Sequence, residues 1–268
     1  MRTQEDSLDV LRSRVVLVVS TFLLGAVLPF WPTAASAQTN PGFARQSAST
    51  QIKADIRAVA KYFAHDEVHI FESPVRFVQR PKNLIYLAPF VVAGALIPAD
   101  RHIEPNFSRG VQNAGQDISN VGLFGTAATV GGLYLYGVAK HDDHAHEAGR
   151  LGTQSFVDTL LLYELTNVIA GRARPDEGNG HGDFFVNHSF DSSFPSGHAS
   201  LTWSMTTVLA DEYPSTKSRL FWYAVGSTVA ASRVVGRRHF TSDVIVGSAM
   251  GYLIGRYVFH AHGHHWSK

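Results

Sequence analysis

From Gln51 onward the chain is a succession of apolar stretches at helical spacing, each closed by a polar break, and strand-like alternation is scarce. Such a chain buries its apolar faces helix against helix, so the expected fold is all-α. An amphipathic pattern covers 52–68, and a short apolar helix containing Pro89 covers 84–100. Residues 104–119 read as a polar connector. An uncharged stretch follows from Asn120 to Ala139, and then a helix from Phe156 that Pro175 should stop. Residues 197–214, 218–236 and 242–259 supply three more. The expectation is a single-domain helical bundle of about six core helices over 51–268.

Ahead of this bundle, Arg12 and Arg14 precede "VVLVVSTFLLGAVLPFW", and Ala35-Ser36-Ala37 stands before Gln38. A basic flank, an apolar run and a small-residue site form the pattern of a cleaved secretory signal over 1–37. The competing reading is an uncleaved membrane anchor. Both imply an exported protein of the periplasm or cell envelope. Residues 38–50 are small and polar and read as a flexible lead-in. A spanning helix needs about 20 mostly apolar residues, and only Asn120 to Ala139 meets that without charge. The other stretches are shorter or carry Asp158, Glu164, Arg233 or Arg256. Charged groups can face a bundle interior, so membrane contact and a soluble packing both fit.

The 23 basic and 22 acidic residues nearly cancel, which argues against a nucleic-acid partner held by charge. Cysteine is absent, so disulfides, thiolate nucleophiles and cysteine-bound metals are excluded. Histidine clusters at His141, His144 and His146 and again at His260, His262, His264 and His265. A solvated loop and a frayed tail are the simpler readings of these tracts. His65 and His69 share a helix face, but Asp66 stands where a zinc-protease motif needs glutamate. No metal site is assigned.

Three elements in the second half carry chemistry. "NVIAGRARP", Asn167 to Pro175, is a helix end bearing Arg172 and Arg174. "PSGH", Pro195 to His198, opens a helix. "SRVVGRRHFTSD" runs from Ser232 to Asp243. If His239 and Asp243 share one helix, they lie one turn apart on one face. The carboxylate then accepts from one ring nitrogen and leaves a lone pair on the other. A surface pair of no consequence is the commoner use of that spacing. Arg174 and Arg233 suit bidentate contact with phosphate oxygens, though helix-dipole complementation alone also explains them. At "PSGH", Ser196 caps a helix whose free N–H groups form an anion site. Gly197 permits close approach to the backbone, and His198 is placed to protonate a leaving oxygen.

In this order the three blocks resemble the signature of the type 2 phosphatidic acid phosphatase superfamily, which includes bacterial acid phosphatases and vanadium haloperoxidases. The second and third blocks match at every defined position, and Arg174 and Pro175 match the first. The resemblance implies a phosphatase working through a phosphohistidine. His239 would be nucleophile, Asp243 its orienting group and His198 the general acid. Arg174, Arg233, Ser196 and Gly197 would hold the phosphoryl oxygens. It implies no metal or other cofactor, and as substrate a phosphorylated small molecule, a lipid phosphate or a pyrophosphate. The departure is Asn167, which stands where the family has lysine. A lost charge-assisted contact would cost about 1.5–3 kcal/mol. Arg172 is the nearest cation to replace it, so Arg172 and Asn167 join the candidates for the phosphate site. A vanadate-dependent haloperoxidase and a catalytically degenerate envelope protein are the alternatives.

Overall fold

The computed structural model describes residues 48–62, 81–103, 105–186 and 190–263. The expected signal segment, His65, His69, His264 and His265 lie outside the described residues, as does the lead-in apart from 48–50, which begin a helical segment running to 62.

The described chain is all-α. Short 3₁₀ turns at Pro81–Leu87 and Ile97–Ala99 flank α1 (Ala88–Leu96), and α2 (Asp100–Ile103) follows. Five long helices come next: α3 (Arg109–Lys140), α4 (Asp143–Ala170), α5 (Gly197–Glu212), α6 (Thr216–Val235) and α7 (Thr241–His262). The last three start and stop within a few residues of the sequence expectation.

Two expectations are overturned. Most of the polar connector, 109–119 of 104–119, is helix, because α3 begins at Arg109. Its small residues are the reason. A Cβ on Gly115 would meet Ser232 O at 2.9 Å, and one on Gly122 would meet Val229 at 2.2 Å. Polar composition hid a contact face that lets α6 approach closely. The first histidine tract is not a loop either. Asp142 caps α4 by accepting from Ala145 N at 3.0 Å, so His144 and His146 sit on the first turn. There they pair with Glu212 (3.1 Å) and Asp55 (2.8 Å). In the second tract, His260 and His262 belong to the last turn of α7.

Helix α5 is the hub, packed by α3, α4, α6 and α7. Leu201, Met205, Leu209, Leu123, Val130, Trp222 and Val225 build the main core around it. Its crossing with α7 is close because Gly247, Gly251 and Gly255 form a bare stripe there. Added Cβ atoms would meet the carbonyl oxygens of Ser196, Ser200 and Ser204 at 2.6, 2.1 and 2.5 Å. This contact fixes the N-terminus of α5 against that of α7, where Ser196 N donates to Asp243 O at 3.1 Å. Among the described residues, two segments, Leu84–Ile103 and Arg109–Lys140, are long and apolar enough to cross a bilayer. On the first, Ile85 and Val91 are exposed.

Candidate active site

The site forms where the N-termini of α5 and α7 meet the loop that follows α4. Helix α4 ends at Ala170, five residues before Pro175, because Gly171 adopts the left-handed conformation (φ 52°) and its N–H bonds back to Asn167 O. That reversal sends Arg172 and Arg174 into the loop. The loop then returns through Ser192 and Ser193 to Ser196, the residue before α5.

His239 is buried and precedes α7, whose flanking residue is Phe240. The expected one-turn contact with Asp243 is therefore not made. Instead His239 Nδ1 donates to the Ser193 carbonyl at 2.6 Å. Arg233 Nη2 lies 3.3 Å from Nε2, consistent with a lone pair on that nitrogen. The Asp243 carboxylate accepts from Phe240 N (2.9 Å), from Ser193 Oγ (2.6 Å) and from Arg172. Asp243 thus reaches His239 through Ser193, as a positioning residue one step removed. The tautomer set by the Ser193 carbonyl is the one a nucleophilic Nε2 needs.

Around Nε2 the charges are nearly all of one sign. Arg233 is buried, bonds Ser119 Oγ at 3.0 Å, and keeps an Nε with no hydrogen-bond partner among the described residues. Burial and the neighbouring Arg174 and Arg238 push its guanidinium down to about 9. His198, half-buried, donates from Nε2 to Asn120 Oδ1 at 2.9 Å. Burial first, then Arg233, Arg174 and Arg238, hold its imidazole at about 3. Burial and Arg233 likewise keep His239 well below the ordinary histidine range. After burial, Arg233 and Arg174 act on both His198 and His239, so these four groups lie near one another. A dianion entering among them would reverse those shifts.

Arg174 is buried, with Nη1 on Arg238 O at 2.9 Å and Nε on Asp191 O at 3.2 Å. Its remaining nitrogen pairs with the Asp191 carboxylate, which is 69% exposed. Ser196 Oγ is buried without a partner among the described residues. Gly197 is needed for a reason other than the expected one, because the Tyr163 ring occupies the space of its missing side chain, 2.6 Å from an added Cβ.

Two candidates leave the phosphate site. Arg172 is 1% exposed and spends its guanidinium on Asp100 (2.9 Å), Ser242 Oγ (2.9 Å), Gly182 O (3.1 Å) and Asp243. Its plane lies between Phe184 and Phe240, 4.7 and 4.3 Å from their centroids. Four of its five N–H donors are taken by protein groups, and its burial keeps the side chain from a ligand. Asn167 is fully buried, donating to Ser192 O (2.8 Å) and Phe194 O (3.3 Å) and accepting from Ser192 N (3.1 Å). A lysine cannot accept from that N–H, so Asn167 here shapes the loop rather than charging the site. Sequence reasoning missed Asp100, Ser119, Asn120, Tyr163, Asp191, Ser193 and Arg238. Only Arg238, beside His239 in "GRRH", carried a visible signal.

Residues 153–267 match the model of the PAP2 superfamily. A PA-phosphatase related-family protein of Dictyostelium discoideum is 32% identical over 145 residues, 48% of this chain and 52% of the relative. A lipid A 1-phosphatase of Rhizobium johnstonii is 36% identical over 127 residues, 45% and 51% of the two chains. One of Porphyromonas gingivalis is 39% identical over 90 residues, 32% of this chain and 17% of the relative. The chain thus spans about half the length of the first and second of these relatives and less of the third. A transmembrane PAP2 type phosphatidylglycerolphosphate phosphatase from Bacillus subtilis superposes with a TM-score of 0.45 at 19% identity, covering 78% of this chain and 98% of that one.

Proposed function

We propose that this chain, whose residues 153–267 match the model of the PAP2 superfamily, is a phosphatase that hydrolyses a lipid phosphate monoester through a phosphohistidine. The carrying observation is His239, with Nδ1 on the Ser193 carbonyl and Nε2 beside the buried Arg233, which has no carboxylate hydrogen-bonded to it among the described residues. In the first step Nε2 attacks phosphorus, the P–N bond forms and the ester P–O bond breaks. His198, protonated once the substrate dianion offsets the arginines, gives its proton to the leaving alkoxide. In the second step water loses a proton to His198 and attacks phosphorus, releasing phosphate and restoring His239. Arg174, Arg233 and the first N–H groups of α5 face the charge that develops on the phosphoryl oxygens.

The lipid side of the reading is supported by relatives named as lipid A 1-phosphatases and by the exposed apolar residues of the segment Leu84–Ile103. The N-terminal leader supports action outside the cytoplasm. The reaction as written requires no metal, since guanidiniums and a helix terminus meet the oxyanion charge. Purified protein in detergent micelles should release phosphate from phosphatidic acid with EDTA present, and His239→Ala should not. Undiminished release by that variant would defeat the proposal.

A further inference from the structure

Beside the histidine pocket the protein has a second basic feature that hydrolysis does not use. An open cleft of about 490 Å³ lies between the end of α2 and the turn at Asn179–His181. Arg101, His102, His181 and Arg237 line it, with the carboxamides of Asn106 and Asn179. No carboxylate lines it among the described residues. Two guanidiniums, two imidazoles and two amide donors suit an anion with several acceptor oxygens. The volume is in the range of small-molecule clefts.

The cleft walls are fixed by the network behind the catalytic pocket. Asp100, the residue before Arg101, binds Arg172. The Gly182 carbonyl, just after His181, binds the same guanidinium. Arg237 Nη2 holds Pro175 O at 3.2 Å, and its chain neighbour Arg238 offers its carbonyl to Arg174. One buried arginine therefore ties both walls together and also grips the carboxylate that positions His239. The exposed apolar segment Leu84–Ile103 leads into Arg101 and His102, so the cleft opens at the end of the surface most suited to lipid.

We infer that this cleft is a second anion subsite, taking a phosphate group other than the one hydrolysed. The inference rests on the proposed lipid phosphatase reading and adds a preference to it, for a phosphate held beside the scissile monoester. That phosphate belongs either to the substrate itself or to a neighbouring anionic lipid.

The test compares wild type with Arg101→Ala/His181→Ala, full-length, in phosphatidylcholine micelles. Phosphatidic acid carries one phosphate; phosphatidylglycerol phosphate carries a phosphodiester beside its terminal monoester. The double variant should raise KM for the second lipid about five- to tenfold, as expected of two partly solvated charge contacts. Its kinetics on phosphatidic acid should stay at wild-type values, which also reports intact folding, and Arg101→Lys should behave as wild type. If the source is a neighbouring lipid, added phosphatidylglycerol will instead lower KM for phosphatidic acid in wild type and not in the double variant. Equal losses on both lipids, or no loss on either together with no effect of added phosphatidylglycerol, would overturn the subsite. If wild type hydrolyses neither lipid, the hydrolytic reading falls, and the cleft is judged by titrating inorganic phosphate against the His102 imidazole resonances. A shift weakened by Arg101→Ala supports it and a silent titration overturns it.

Discussion

Arg172 and Arg233 are both buried arginines within one network, and they are used in opposite ways. Arg172 is engaged by the protein: two carboxylates, a hydroxyl and a carbonyl take four of its five donors, and two aromatic rings cover its faces. Arg233 has a hydroxyl and an imidazole for company, an Nε without a partner among the described residues, and like charges nearby. Burying a charge without an acid partner costs stability. On the proposed function, a fold that keeps Arg233 in that condition reserves it for an anion. The first arginine then belongs to the architecture and the second to the ligand.

The contrast is broken most severely at the nucleophile. His239→Ala should lower kcat by at least about a thousandfold while leaving the thermal midpoint close to wild type, as read by phosphate release and calorimetry side by side. Next come the two arginines. Arg172→Ala leaves Asp100 and Asp243 buried without their cation and should cost about 3–5 kcal/mol of stability. Arg233→Ala should lower kcat/KM by about ten- to a hundredfold, with a thermal midpoint equal to or above wild type. If the two variants exchanged these phenotypes, the division drawn here would be wrong.

Asn167 sharpens the same line. Its replacement by Ala abandons bonds to Ser192 and Phe194 and should cost about 1–3 kcal/mol, measured by denaturant unfolding. Replacement by Lys should not raise turnover, because the side chain would enter a place already filled by backbone contacts.

Much of this was legible in the sequence. The helical spacing of the last three helices led to the right fold, and the histidines and arginines of the three blocks are the residues from which the proposed pocket is built. What failed did so where tertiary contact overrides local pattern. The 104–119 stretch read as connector because its glycines and serines carry no hydrophobic signal, although their smallness is what packs them against α6. The His239–Asp243 spacing suggested one helical turn, but α7 starts after Phe240, so the pair communicates through Ser193. Ser193 and Asp100 were invisible because their importance comes from residues 46 or more positions away in sequence.

pH gives a smaller and signed effect. His198 and His239 have folded pKa values below the unfolded value of about 6.5. The unfolded chain therefore binds more protons, and their contribution to stability, complete above about pH 6.5, is lost as pH falls toward 3. Vanadate or inorganic phosphate should raise the His198 value and protect the fold most at acid pH, seen by imidazole NMR titration and thermal melts. The smallest expected change is at Asp191, whose carboxylate competes with a ligand for Arg174. Asp191→Asn should tighten phosphate inhibition by about two- to fivefold.

The central claim is that His239 carries the phosphoryl group within the unsaturated charge cluster. Rapid quenching of the protein with a radiolabelled lipid phosphate, followed by peptide mapping, tests it most directly. An acid-labile label on His239, retained longer in His198→Ala and missing in His239→Ala, is the predicted result. Label on another residue, or full turnover with no labelled protein in any variant, would contradict it.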